Sequence, residues 1–143
     1  MNEIKKLEGI GGWLILVLIG LFVGIARSVQ SLLMDYGVDP SMVSPAFRNI
    51  MIFENVGVGV GLIILIIVTI NFFQRKKRIV DLITYYYIYI ISYSVLDGYI
   101  VSSYLDVENV AVIVPIVGNM ISAAIWISYF QRSIRVKNTF IND

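Results

Sequence analysis

Cysteine and histidine are both missing from the 143 residues. Without cysteine there are no disulfides, no thiol redox chemistry and no thiolate metal ligands; without histidine the chain also lacks the commonest imidazole ligand and the usual proton shuttle near neutral pH. Thiol-dependent enzymes and haem proteins ligated by histidine are therefore excluded, and neither a metal nor a cofactor is expected. Charge is scarce as well. Asp, Glu, Lys and Arg make up 15% of the chain, and the net charge of +1 gives no bulk attraction to nucleic acid. A chain this short also has little room for a second, water-soluble domain.

What the sequence has instead is apolar length. Hydrophobic residues make up 58% of it, and the mean hydropathy is +0.83, too little polar surface to cover a water-soluble globule. Four apolar stretches, about 10–34, 48–73, 79–104 and 110–130, are each long enough to cross a bilayer. The fold expected is an all-α, integral membrane four-helix bundle running up-down-up-down, one domain over residues 1–143, with a tail over 131–143. Ser44 is placed to cap the second helix and Pro45 to occupy its first turn. The third segment, ~39 Å long as a helix, outruns a hydrocarbon layer of ~30 Å, so its ends reach the interfaces. Lys5, Lys6, an apolar run and Gly24-Ile25-Ala26 have the order of a cleavable leader. Helix-compatible residues nevertheless continue through Arg27 to Met34, and retention as a span is expected.

Basic residues collect on one side. Lys5 and Lys6 precede the first segment, Arg75, Lys76, Lys77 and Arg78 separate the second from the third, and Arg132, Arg135 and Lys137 follow the fourth. The opposite connectors hold Asp35, Asp39, Asp106 and Glu108 with Arg48 alone among the bases. The positive-inside rule then places both termini in the cytoplasm, with the protein multi-pass in the membrane.

Small residues mark expected helix contacts, since apolar burial gives little drive between helices already in lipid. Gly20 and Gly24 share a stripe with Ser28 and Ser31, and Gly57 and Gly61 repeat the spacing. The run Gly57, Gly59, Gly61 lacks the strand and the Lys-Ser/Thr of a phosphate loop. Arg27, Glu54 and Asp97, from three different segments, lie at similar depth, roughly 10 Å inside their external ends. Ionisable groups at such depth are costly and are expected to face the bundle and pair, with Asn119 offering a similar face on the fourth segment. Fully ionised, the trio carries one surplus negative charge, which protonation or a bound cation would relieve. A structural clamp between Arg27 and one carboxylate is the plainer reading of the same residues. The third segment also carries Tyr85, Tyr86, Tyr87, Tyr89, Tyr93, Tyr99 and Tyr104, spread around the helix as packing and interfacial residues would be rather than gathered as an aromatic cage.

Both ends of the chain carry distinctive runs: Gly9-Ile10-Gly11-Gly12-Trp13-Leu14-Ile15-Leu16 at one, and Trp126, Tyr129-Phe130, Ser133, Arg135-Val136-Lys137 and Thr139-Phe140 at the other. Together they resemble the bacterial family known as domain of unknown function 2569. The resemblance implies a small four-helix inner-membrane protein over essentially the whole chain and supplies no activity. Val17 stands where that family often has a proline, so no proline bend is expected in the first helix. Read physically, Trp13 and Trp126 belt the interface, Arg132, Arg135 and Lys137 meet anionic headgroups, and Phe140 and Ile141 dip back into the interface.

The function expected is non-enzymatic: an accessory or regulatory membrane subunit that packs through its helices, with membrane lipids and either a membrane-protein partner or further copies of itself around it. The alternative is a small transporter or channel for a proton or cation built on Arg27, Glu54, Asp97 and Asn119. No nucleophile, metal cluster or cofactor motif accompanies the two acids to make an enzyme.

Overall fold

A computed structural model describes residues 8–37, 39 and 41–143; Lys5, Lys6 and Pro40 lie outside them, as do the side chains of Asp35 and Tyr36. Among the described residues there are five helices: α1 (Trp13–Tyr36), α2 (Pro45–Phe73), α3 (Ile79–Tyr104), α4 (Asn109–Arg132) and the short α5 (Ile134–Thr139). The first four are long and apolar enough to span a membrane. The short connectors make chain neighbours into antiparallel packing neighbours, α1 on α2, α2 on α3 and α3 on α4. The result is an all-α, up-down-up-down bundle in which a cleft separates α1 from α4.

Local chemistry sets the limits of α2. Ser44 is extended at φ −64° and ψ 152°, its hydroxyl oxygen accepts the Phe47 N–H at 3.2 Å, and Pro45 fills the first turn, where its missing N–H costs nothing. The far end closes in a Schellman motif. The Lys76 N–H bonds the Asn71 carbonyl at 3.0 Å and the Arg75 N–H bonds the Phe72 carbonyl at 3.2 Å. Arg75 itself takes the left-handed φ of 53° that this turn requires. Asn71 is buried and fully engaged, donating to the Ile67 carbonyl at 2.7 Å and accepting from Arg78 Nε at 2.6 Å.

The α2–α3 connector, α5 and the first described residues share one end of the bundle, hereafter the terminal end; the α1–α2 and α3–α4 connectors form the loop end. The main core sits at the terminal end, where Leu14, Val17 and Leu21 of α1 meet Leu65, Val68 and Phe72 of α2, Ile79 and Ile83 of α3, and Phe130 of α4. Helix α5 closes that core with Val136 and the Phe140 that follows it. The Phe140 ring lies 5.2 Å from Phe72 and 6.1 Å from Phe130, centroid to centroid.

That placement differs from the interfacial dip expected of Phe140. Its ring is 4% exposed and packs inside the protein, while Ile141 stays 58% exposed. The reason is the way the tail is tied. Asn142 donates its N–H to the Arg75 carbonyl at 3.0 Å and accepts the Lys77 N–H at 2.8 Å. Its side chain donates to the Gln74 carbonyl at 2.8 Å. Lys76 Nζ donates to the Asp143 carbonyl, Lys77 Nζ pairs with the Asp143 carboxylate at 2.7 Å, and the Thr139 hydroxyl donates to the Gly9 carbonyl at 3.2 Å. The tail thus links the chain's start, the α2–α3 connector and α4, turning Phe140 inward.

Candidate functional site

Asp97 enters the bundle on α3, one turn beyond Ser94 and directly before Gly98. Gly98 is buried, and a Cβ there would stand 2.5 Å from Val112 Cγ1, so the Val112 side chain of α4 packs directly on the α3 backbone at this level. Close approach brings Asn119 of α4 to α3, where its Nδ2 donates to the Ser94 hydroxyl at 3.0 Å. That hydroxyl in turn donates to the Ile90 carbonyl at 2.5 Å. Asp97, Ser94 and Asn119 line one cavity of about 360 Å³, closed on the α2 side by Gly57 and Gly61 and reached by Ser28 of α1. Asp97 Oδ1 is buried and has no hydrogen-bond partner among the described residues. A buried acceptor left in this way is suited to a proton, a cation or a water molecule.

Glycines on α2 admit the aromatic wall of this cavity. The Tyr93 ring lies over Gly57, where a Cβ would collide with it, and is stacked between Phe53 at 5.8 Å and Tyr89 at 6.1 Å. The Tyr89 hydroxyl donates to the Gly57 carbonyl at 2.6 Å, and the Tyr93 hydroxyl reaches the Glu54 carbonyl at 3.4 Å. Glu54 therefore sits beside the cavity with its turn of helix held by Tyr93, its side chain partly buried. A Cβ at Gly61 would stand 3.2 Å from Tyr89, and one at Gly24 of α1 would stand 2.9 Å from Leu65 of α2. Gly20 differs from these three: open space occupies its Cβ position, because it faces the cleft between α1 and α4.

Arg27 lines that cleft and not the Asp97 cavity. It makes no ion pair among the described residues, unlike Lys77, which pairs with Asp143. Asn119 borders both spaces. The structure accordingly brings Asp97 and Asn119 together with Ser94, sets Glu54 next to them through Tyr93, and leaves Arg27 on the other side of Asn119. No group of three His, Cys, Asp or Glu able to hold a metal occurs among the described residues.

At the terminal end Trp13 and Trp126 form an edge-to-face pair at 6.5 Å, joining the two distinctive end runs. Arg135 is partly buried against Gly11 and Gly12, its Nη1 standing 2.8 Å from where a Gly11 Cβ would be. Arg132 and Lys137 are exposed. The model of the family described as protein of unknown function (DUF2569) matches residues 7–141, both end runs included. The chain belongs to that family. Neither the curated proteins nor the solved structures provide a match. For this DUF2569 chain the contacts carry information that the family description does not.

Two site features escape the sequence reading. Gly98 takes the Val112 side chain of α4 directly against the α3 backbone, and its signal was available in the four-residue spacing of Ser94, Gly98 and Ser102. The Asn119–Ser94 hydrogen bond had no local signal, because it depends on the register between two helices.

Proposed function

We propose that this protein is a non-enzymatic accessory or regulatory subunit of a membrane assembly, set in a bacterial inner membrane with both termini cytoplasmic. The orientation is supported by Arg75, Lys76, Lys77, Arg78, Arg132, Arg135 and Lys137 lying together at the terminal end, opposite Asp39, Asp106 and Glu108. The subunit reading is carried by Gly118. Glycine inside a helix is less favourable than alanine by ~1 kcal/mol, so it calls for a packing reason. Inside the monomer Gly118 has none among the described residues: none of them lies within 4 Å of its Cβ position, and exposed Val114, Val117 and Ile121 surround it. From Asn109 to Ser122, α4 has no buried residue. A helix approaching from outside, from another membrane protein or a second copy, supplies that reason, because helices in lipid associate at small residues. Gentle extraction of the tagged chain from native membranes is expected to bring down a stoichiometric partner or a homo-oligomer. Gly118→Leu should remove it without lowering the yield of folded protein. A wild-type chain recovered alone, at the same mass as the variant, rejects the reading.

The buried, unpartnered Oδ1 of Asp97 favours a second reading, a proton or cation site. It expects Asp97→Asn to abolish proton or cation flux in proteoliposomes while the folded yield is unchanged. Equal loss of fold and flux makes the carboxylate a structural element.

A further inference from the structure

The cleft between α1 and α4 is ordered by polarity along its length. Arg27, Asn119 and Ser122 line its loop-side end, and Val17, Trp126 and Phe130 line the other. Its volume is about 370 Å³, near the lower bound of the ~300–1,000 Å³ usual for small-molecule sites. On α1 the lining runs from Leu16 to Arg27, which is ~16 Å of helix. That volume spread over that length, with a water radius of ~1.4 Å added at each wall, gives a channel roughly 8 Å across. A hydrocarbon chain fits it at carbon contact distances of ~3.5–4 Å, whereas a helix of ~10–12 Å diameter does not.

We propose that this cleft binds one single-chain anionic amphipath, a long-chain carboxylate, with its head on Arg27 and its chain running toward Trp126 and Phe130. Charge complementarity selects the head: Arg27 makes no ion pair among the described residues, and a guanidinium presents a planar fork that matches a carboxylate. Asn119 adds a donor, since one N–H of its amide goes to Ser94 and the other faces no partner among the described residues. Channel width selects one chain over the two of a phospholipid. Gly20 keeps the channel open, its Cβ position empty where that of Gly24, one turn on, is filled by Leu65. The Trp13–Trp126 pair stands at the terminal end of the cleft, and α1 and α4, parted along it, give access from the bilayer.

The chain carries its own reporter, because its two tryptophans are Trp13 and Trp126. The test uses full-length protein in phosphatidylcholine nanodiscs, as wild type and as Trp13→Phe, titrated with dibromostearate, its methyl ester, or a dibromo-phosphatidylcholine. Dibromostearate is expected to quench Trp126 saturably at low mole fraction, and the two neutral probes only in proportion to their amount. Arg27→Gln should weaken the apparent affinity for dibromostearate by about tenfold or more, the loss of a charge-assisted contact, while Arg27→Lys retains part of it. Gly20→Leu should remove the saturable phase with helix content unchanged. Should Gly20→Leu fail to fold, the Arg27 pair still decides. Linear quenching by all three probes identifies ordinary boundary lipid and overturns the proposal. Saturation by the dibromo-phosphatidylcholine, or by dibromostearate equally in Arg27→Gln, overturns it too.

Discussion

At the terminal end, Phe72, Ile79, Phe130 and Phe140 are shut inside the protein beneath α5, whereas at the loop end α4 turns Val110, Ile113, Val114 and Val117 outward, each about half exposed or more. The tail and the α2–α3 connector lie outside the spans, whereas these α4 residues lie within one. Water bathes a connector and a tail, so the hydrophobic effect rewards a sealed apolar core of the kind a soluble domain builds. Lipid is as apolar as leucine, and between helices inside it close approach at glycines and side-chain hydrogen bonds take over. Gly57 under Tyr93, Gly98 against Val112 and Asn119 on Ser94 are contacts of that second kind. The core at one end holds the fold, and the looser packing at the other leaves room for the Asp97 cavity and the α1–α4 cleft.

The sharpest way to break the comparison is to remove one large apolar side chain from each end. Phe140→Ala leaves a void between Phe72 and Phe130 and should cost ~3–5 kcal/mol, measured as unfolding free energy in mixed detergent. Ile113→Ala, at a lipid-facing position, should stay within ~0.5 kcal/mol. Equal costs would mean that the tail lid contributes no more than the lipid-facing surface does.

A second pair separates the inside of the loop-end half from its outside. Gly57→Ala drives a methyl group into the Tyr93 ring, which Phe53 and Tyr89 hold from both sides, and should cost ~1–3 kcal/mol as overpacking does. Gly118→Ala meets open space and should leave the monomer unchanged or stabilise it by up to ~1 kcal/mol through helix propensity. Tyr93→Leu in the Gly57→Ala background should return part of the loss, which a purely backbone effect of the alanine would not allow. A destabilising Gly118→Ala, measured on the isolated chain, would show that α4 uses this face internally.

Legibility in the sequence follows the same division. Four spans and their antiparallel order could be read from apolar length and short connectors, and the Ser44 cap with Pro45 from local chemistry. Of the packing glycines, Gly24, Gly57 and Gly61 do meet neighbouring side chains, because a four-residue spacing puts them on one helix face. Gly20 shares that spacing yet faces the cleft. Periodicity fixes a face and does not say whether a neighbour covers it. The same limit applies to Arg27 and Asp97: equal depth on two helices left open which side of Asn119 each would occupy. The tail was least legible. Val136 and Phe140 stand one helical turn apart, the pattern of an inward face, but a six-residue helix is too short for that pattern to stand out from an interfacial segment.

The smallest expected effect concerns acid, and it too distinguishes the ends. The Asp143 carboxyl is held below its ordinary value of 3.8 by the hydrogen bond from Lys77 and its charge, with Lys76 adding to it. The Asp39 carboxyl is held below the same value by the Ser41 N–H and hydroxyl. A carboxyl whose folded pKa is depressed contributes stability that is present above its unfolded pKa and is lost as pH falls through the folded one. For both groups that window opens just below 3.8. The consequences differ in reach, because Asp143 ties the tail to a connector remote in sequence and Asp39 ties only its own turn. Lowering the pH from about 6 to about 3 should therefore reduce amide-exchange protection, corrected for intrinsic rates, at Lys77 and Asn142 by a modest factor, as befits an exposed ion pair. High salt at neutral pH should give the same change in weaker form, through screening. At the loop end the acid response should be confined to Ser41 and be indifferent to salt, since hydrogen bonds rather than a cation depress Asp39. Asp143→Asn should flatten the terminal-end response and leave Ser41 unaffected. If the tail keeps its acid sensitivity in that variant, a carboxyl other than the Asp143 side chain carries it, and the Lys77–Asp143 pair is not what acid breaks.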